Sequence, residues 1–103
     1  HMINSKLLNK MKKTSFLINT SRGKVVNQKD LLNILQLKKI QGAALDVFED
    51  EPISESNDLV KLENVVLVPH IGSSTSQTRR TMAEITVKNL ILGLSNKKLV
   101  YSV

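Results

Sequence analysis

Two hydrophobic periods alternate along the chain. From Ile3 to Met11, the side chains Leu7, Leu8 and Met11 fall on one side, and Asn4 is placed to cap them, which predicts a short helix. Ser15 to Asn19 is a brief, mostly apolar run that predicts a strand. Asn27 followed by Asp30 forms a capping arrangement for a helix reaching about Lys38, with Leu31, Ile34 and Leu35 inward. Gly42 to Val47 and Val65 to Val68 predict two more strands, the second stopped by Pro69. A last helix is expected from about Thr75 to Leu92, with Ala83, Val87, Leu90 and Leu94 at helical spacing and Gly93 weakening or ending it. The loop from Phe48 to Asn64 is longer than most connections in such domains. It holds Glu49, Asp50, Glu51 and Pro52, with a helical turn expected near Asn57 to Lys61.

Strand, helix, strand, long loop, strand, helix is an α/β order. The strands are apolar with little alternation, as in a parallel sheet covered on both faces. Three strands are few for such a sheet, and the free edge of a buried-type strand is a pairing template. The pattern therefore reads as an incomplete domain.

Composition narrows the chemistry. The chain has 103 residues and 41% apolar content, but Phe16, Phe48 and Tyr101 are the only aromatics, so the core must be aliphatic. The lack of cysteine excludes disulfides, thiolate catalysis and cysteine metal sites, and agrees with a cytoplasmic location. No apolar run is long enough to span a bilayer, and no secretory leader pattern opens the chain. His1-Met2 reads as an expression remnant. The formal charge of +6 is spread over lysines at element ends, without interleaved aromatics to stack bases. That distribution fits a solvated surface and argues against nucleic-acid and membrane partners.

The informative polar residues follow the three strands. Asn19-Thr20-Ser21-Arg22-Gly23 follows the first, Asp46 and then Glu51 the second, and His70-Ile71-Gly72-Ser73-Ser74 the third. In open parallel sheets ligands bind at that carboxyl edge. An arginine fork grips a carboxylate with two hydrogen bonds. Histidine exchanges protons near neutral pH, and a nearby carboxylate fixes its tautomer. Together they suit oxidation of an alcohol beside a carboxylate, or reduction of the matching ketone. Plainer roles also fit each residue: a surface turn charge for Arg22, a turn cap for Asp46, a solvated loop for Glu51 and His70. Asn19 and Ser21 are expected to hold their loop through hydrogen bonds to backbone. His70 lacks neighbours at metal-ligand spacing, so no metal site is expected.

Phe16-Leu-Ile-Asn-Thr-Ser-Arg-Gly23, Gly42-Ala-Ala-Leu-Asp-Val-Phe-Glu-Asp-Glu-Pro52 and Asn64-Val-Val-Leu-Val-Pro-His-Ile-Gly-Ser73 closely resemble the D-isomer-specific 2-hydroxyacid dehydrogenase family. The likeness runs from Ile3 to Leu94. It implies a partial Rossmann-type parallel sheet of about three strands with flanking helices. Residues 3–103 would form the C-terminal part of an NAD(P)-binding domain, with 95–103 as a tail. It further implies Arg22, Glu51 and His70 as catalytic residues: Arg22 binding the substrate carboxylate, His70 as acid or base, and Glu51 raising the proton affinity of His70. Asp46 would meet the nicotinamide carboxamide. Thr20, Ser21, Arg22, Asp46, His70, Gly72 and Ser73 would bind NAD or NADP. The substrate would be a small 2-keto or 2-hydroxy acid, with Thr78, Arg79 and Met82 nearer the glyoxylate/hydroxypyruvate reductases.

The family's glycine-rich phosphate loop and its preceding substrate-domain segment are not among these residues. The isolated chain is therefore expected to bind cofactor weakly or not at all and to be inactive, and its parent to be a homodimer. Self-association of the fragment is a further expectation. Two other readings remain at this point: a dinucleotide-binding scaffold of corepressor type, and a structural remnant without function.

Overall fold

Each apolar run becomes a strand, and polar caps set where the helices begin. The computed structural model describes residues 1–102. In order it contains α1 (Ser5–Leu8), β1 (Phe16–Asn19), α2 (Gln28–Gln36), β2 (Gly42–Leu45), β3 (Val65–Leu67) and α3 (Ser76–Leu94). Short 3-10 turns occupy Gly23–Val25 and Asp58–Lys61. The strands are parallel in the order β1-β2-β3, with Asn19 opposite Leu45 and Leu45 opposite Leu67. All three consequently end at one edge, and the loops bearing the polar motifs leave from it.

The chain forms two compact units, the first running from His1 to Ile71 and the second beginning at Gly72. In the first, α2 starts where the Asn27 side chain accepts the Asp30 N–H at 2.9 Å. Leu31, Ile34 and Leu35 on its inner face are each 1% exposed. They pack with Leu8, Ile40, Ala43, Leu45 and Leu59 into one core that is aliphatic except for Phe48. Burying each such leucine or isoleucine is worth about 1.5–3 kcal/mol. Leu59, carried by the Asp58–Lys61 turn, anchors the middle of the long β2–β3 loop in that core. The Asn57 side chain caps this turn by accepting the Leu59 N–H.

Several expectations need correction. The first helix is only one turn long, because the Asn9 side chain competes for the Ser5 carbonyl at 2.7 Å and the chain continues in tighter bonds. Leu8 is buried and Met11 half-buried beyond the helix, while Leu7 is exposed. Within the first unit, the core covers one face of the sheet. Leu17, Ala43, Leu45, Val65 and Leu67 face the core, whereas Phe16, Ile18 and Val66 on the opposite face are 64%, 71% and 62% exposed. The turn at Gly23–Val25 and the parallel bridge between Ile3 and Val26 carry no signal in the hydrophobic pattern.

In the second unit, Thr75 caps α3 by accepting the Thr78 N–H. Gly93 does not end this helix, which runs on to Leu94. The stop is made by Asn96, whose φ of 52° is left-handed, while the Asn96 and Lys97 N–H groups return to the carbonyls of Gly93 and Leu92. Ala83, Val87, Leu90 and Leu94 are all exposed, and α3 buries no residue. Asn89 ties the following segment back to the helix by accepting the Val100 N–H and donating to the Tyr101 carbonyl.

Candidate active site

The loop after β1 is held from within. The buried Asn19 side chain accepts the Ser21 N–H and donates to the Arg22 carbonyl, both at 3.1 Å. That closes a tight turn and leaves Arg22 exposed; the Asn19 bonds to backbone are those the sequence reading expected. Thr20, Ser21 and Arg22 are exposed. One Arg22 N–H donates to the Ser21 carbonyl at 2.7 Å. A guanidinium has five such donors, so most of the fork remains for an anion.

The next residue fixes how closely two loops approach. A side-chain carbon on Gly23 would lie 1.8 Å from the Phe48 carbonyl oxygen. Only glycine leaves room for that backbone. The Phe48 N–H in turn donates to Glu51 Oε1 at 3.0 Å. The other carboxylate oxygen, Oε2, sits 2.8 Å from His70 Nδ1. Residues from two strand ends therefore meet as a carboxylate–imidazole pair at the carboxyl edge of the sheet.

His70 itself sits in a left-handed backbone conformation at φ 53°. A non-glycine residue there costs about 1–2 kcal/mol, and the surrounding bonds hold it. Its N–H donates to the Val68 carbonyl, and the next N–H, of Ile71, donates to Asp46 Oδ1 at 2.7 Å. Asp46 is buried at the end of β2, where its own N–H bonds the Asn19 carbonyl. A cavity of about 460 Å³ opens beside the pair, lined by Phe48, Glu51, Pro52, Ile53, Pro69 and His70.

Hydrogen bonding from His70 and from the Phe48 N–H holds the Glu51 carboxyl below its ordinary range, against a smaller opposing effect of burial. The charges of His70 and Arg22 act in the same direction, so Arg22 belongs to this electrostatic neighbourhood. A carboxyl lowered in the folded state adds stability above its unfolded value, near 4.5, and loses it as pH falls through the folded value. Glu51→Gln is therefore expected to lose less stability than the unchanged chain as pH falls below the unfolded value near 4.5 and on through the lowered folded value, as read from urea midpoints. Equal losses would show that the pair contributes nothing to folding. The effect should be modest, since the Glu51 side chain is 37% exposed.

The structure thus brings Glu51 and His70 into contact, sets Arg22 in the same field and anchors Asp46 beside His70. Gly72 and Ser73 begin the second unit, ahead of the Thr75 cap. Among the described residues no group of three or more His, Cys, Asp or Glu side chains is arranged to hold a metal ion. No helix there is long and apolar enough to cross a membrane. Sequence reasoning missed the parts played by Gly23 and the Phe48 peptide; the sole signal was glycine directly after Arg22.

Residues 1–72 match the profile of the D-isomer specific 2-hydroxyacid dehydrogenase NAD-binding domain. The chain belongs to the D-isomer specific 2-hydroxyacid dehydrogenase family. Among the dehydrogenases similar to it is the glyoxylate reductase of Korarchaeum cryptofilum, 55% identical over 91 residues that make up 88% of this chain and 27% of that protein. Glyoxylate/hydroxypyruvate reductase B of Serratia proteamaculans is 52% identical over 95 residues, 92% of this chain and 29% of its own. Among solved dehydrogenase structures, the NADPH-dependent glyoxylate/hydroxypyruvate reductase of Sinorhizobium meliloti, in complex with NADP and malonate, superposes with a TM-score of 0.91. It is 36% identical, and the match covers 98% of this chain and 31% of that one. The chain thus spans under a third of the length of these relatives, and its three-strand parallel sheet is part of a Rossmann-type fold.

Proposed function

We propose that this chain is the catalytic-side part of an NAD(P)-dependent oxidoreductase that interconverts a small 2-keto acid and its D-2-hydroxy acid, of the glyoxylate or hydroxypyruvate type. The observation that carries the reading is the 2.8 Å contact between Glu51 and His70 at the carboxyl edge of the sheet, within the field of Arg22. Residues 3–103 belong in this reading to the C-terminal part of the nucleotide-binding domain, with 95–103 as its tail. A cytoplasmic, homodimeric parent and a self-associating isolated chain belong to it as well; the exposed Phe16, Ile18 and Val66 support the last point.

The donor set suits the nicotinamide end of a dinucleotide. Asp46 offers a carboxylate acceptor chemistry for a carboxamide, and Thr20 and Ser21 offer hydroxyls and backbone amides at the same edge. The phosphate end has no such provision. Gly23, Gly42, Gly72 and Gly93 are the only glycines, and they are too far apart to form a glycine-rich phosphate turn. When bound, the nicotinamide supplies or accepts the hydride at the substrate's second carbon.

The chain's own groups do the rest. Arg22 grips the substrate carboxylate and, being cationic, favours negative charge growing on the neighbouring oxygen. Glu51 occupies His70 Nδ1, so Nε2 is the ring nitrogen left to give a proton to that oxygen in reduction, or to take it in oxidation. The Glu51 carboxylate fixes the ring's orientation and tautomer through that contact.

The test is a chimera in which this chain replaces the matched 27% of the Korarchaeum glyoxylate reductase. It should oxidise NADH or NADPH on addition of glyoxylate or hydroxypyruvate. The isolated chain should bind either coenzyme weakly or not at all and turn nothing over. A folded but silent chimera would overturn the assignment, and turnover by the isolated chain would overturn its inactivity.

A further inference from the structure

The loop that carries Glu51 is fastened to the start of α2 by two reciprocal hydrogen bonds. The Gln28 N–H donates to Glu49 Oε1 at 2.7 Å, and the Glu49 N–H donates to Gln28 Oε1 at 3.3 Å. Gln28 is the first residue of α2, so its N–H has no acceptor inside the helix. A carboxylate is favoured there by the helix dipole as well. Unlike an ordinary cap, this one comes from a residue 21 positions away. It therefore joins two segments that nothing local would hold in register.

The peptide linking Phe48 to Glu49 is held on its other sides too. Its carbonyl rests against Gly23, directly after Arg22, and in the preceding peptide the Phe48 N–H holds Glu51 Oε1. Fixing this stretch of backbone fixes the direction of the Glu51 carboxylate, whose second oxygen faces His70. We propose that the Gln28–Glu49 clasp is a positioning device that aims Glu51 at His70 and keeps the Arg22 loop in register with both. Its importance for turnover rests on the function proposed above; the positioning itself does not.

The experiment follows the Glu51 side-chain carboxyl by carbon NMR through a pH titration of this chain. Arg22 and His70 are the charged groups that act on Glu51, and both are left intact. Because His1 Nε2 lies 2.8 Å from Glu49 Oε1, all variants are made in a His1→Ala background. Glu51 should titrate below the ordinary glutamate range in that background and move up toward it in Glu49→Ala. Glu49→Gln keeps a carbonyl acceptor and should restore the low value, which a merely structural loss would not do. Glu51 titrating alike in folded Glu49→Ala and its background would overturn the proposal. If Glu49→Ala does not fold, Gln28→Ala, which removes only the side-chain acceptor, carries the same two outcomes. In the chimera, Glu49→Ala should lower kcat roughly 10–100-fold with KM little changed. A silent chimera beside a clasp-dependent Glu51 titration would remove the proposed function and leave the clasp standing.

Discussion

His70→Ala in the chimera is expected to lower kcat for glyoxylate reduction by roughly 10²–10⁴-fold, the usual contribution of a positioned acid or base. Coenzyme affinity should change little, because His70 is bonded to Glu51 and the removed ring is the proton carrier. Steady-state rates together with coenzyme fluorescence titration separate the two effects. The loss should appear in kcat rather than KM, since proton transfer matters in the transition state and the carboxylate grip belongs to Arg22. Turnover within a few-fold of the unchanged chimera would remove His70 from its assigned role. Glu51→Gln in the same background should sit between the two, because it keeps a hydrogen-bonding group beside Nδ1 but removes the charge.

The second large effect concerns folding. Gly23→Ala is expected to destabilise the chain by about 3 kcal/mol or more, a fall in Tm on the order of 15 °C. The reason is space rather than backbone freedom, since no glycine here has positive φ. An added carbon would meet the Phe48 carbonyl oxygen at 1.8 Å and its carbon at 1.9 Å, both backbone atoms that cannot swing aside. The loops bearing Arg22 and Glu51 would have to part. Gly93→Ala is the contrasting change, because its new carbon would touch only a Leu99 methyl at 3.6 Å. It replaces a poor helix former inside α3 and should leave stability equal or slightly raised. Thermal melts of the two variants, followed by circular dichroism, would decide the matter, and similar Tm values would refute the close-approach account.

Much of the fold could be read because caps and apolar runs act locally. Asn27, Asn57 and Thr75 each begin a helix or turn where their side-chain chemistry says they should. The three strands lie where short apolar runs end in polar loops. The errors have separate origins. Apolar runs reveal that a residue wants to be covered but not whether this chain supplies the cover, so Phe16, Ile18 and Val66 were expected to be covered and are exposed. Of the two effects expected of Gly93, ending the helix did not occur, because one glycine's propensity cost is small beside a long helix, and the left-handed stop is made by Asn96.

For the site, the placement of Arg22, Asp46, Glu51 and His70 after three strands follows from parallel topology alone. The proposed roles came from chemistry and family resemblance. The hydrogen bond from Phe48 to Glu51, the seat at Gly23 and the Gln28–Glu49 clasp did not come from either, since each has a backbone group as one partner and the glycine after Arg22 was the one residue-type signal.

The left-handed turn at His70 makes position 70 selective in a second way. Replacement side chains there are sorted by chirality before they are sorted by acidity. Asparagine tolerates this backbone shape best among the non-glycine residues, whereas valine, isoleucine and threonine are excluded by their branched Cβ. Asparagine at 70 would preserve the path from Pro69 to Ile71, and with it the grip of Asp46 on the Ile71 amide, while abolishing proton exchange. A mutational survey of this position would therefore report two filters superimposed, and asparagine is the substitution that tells them apart.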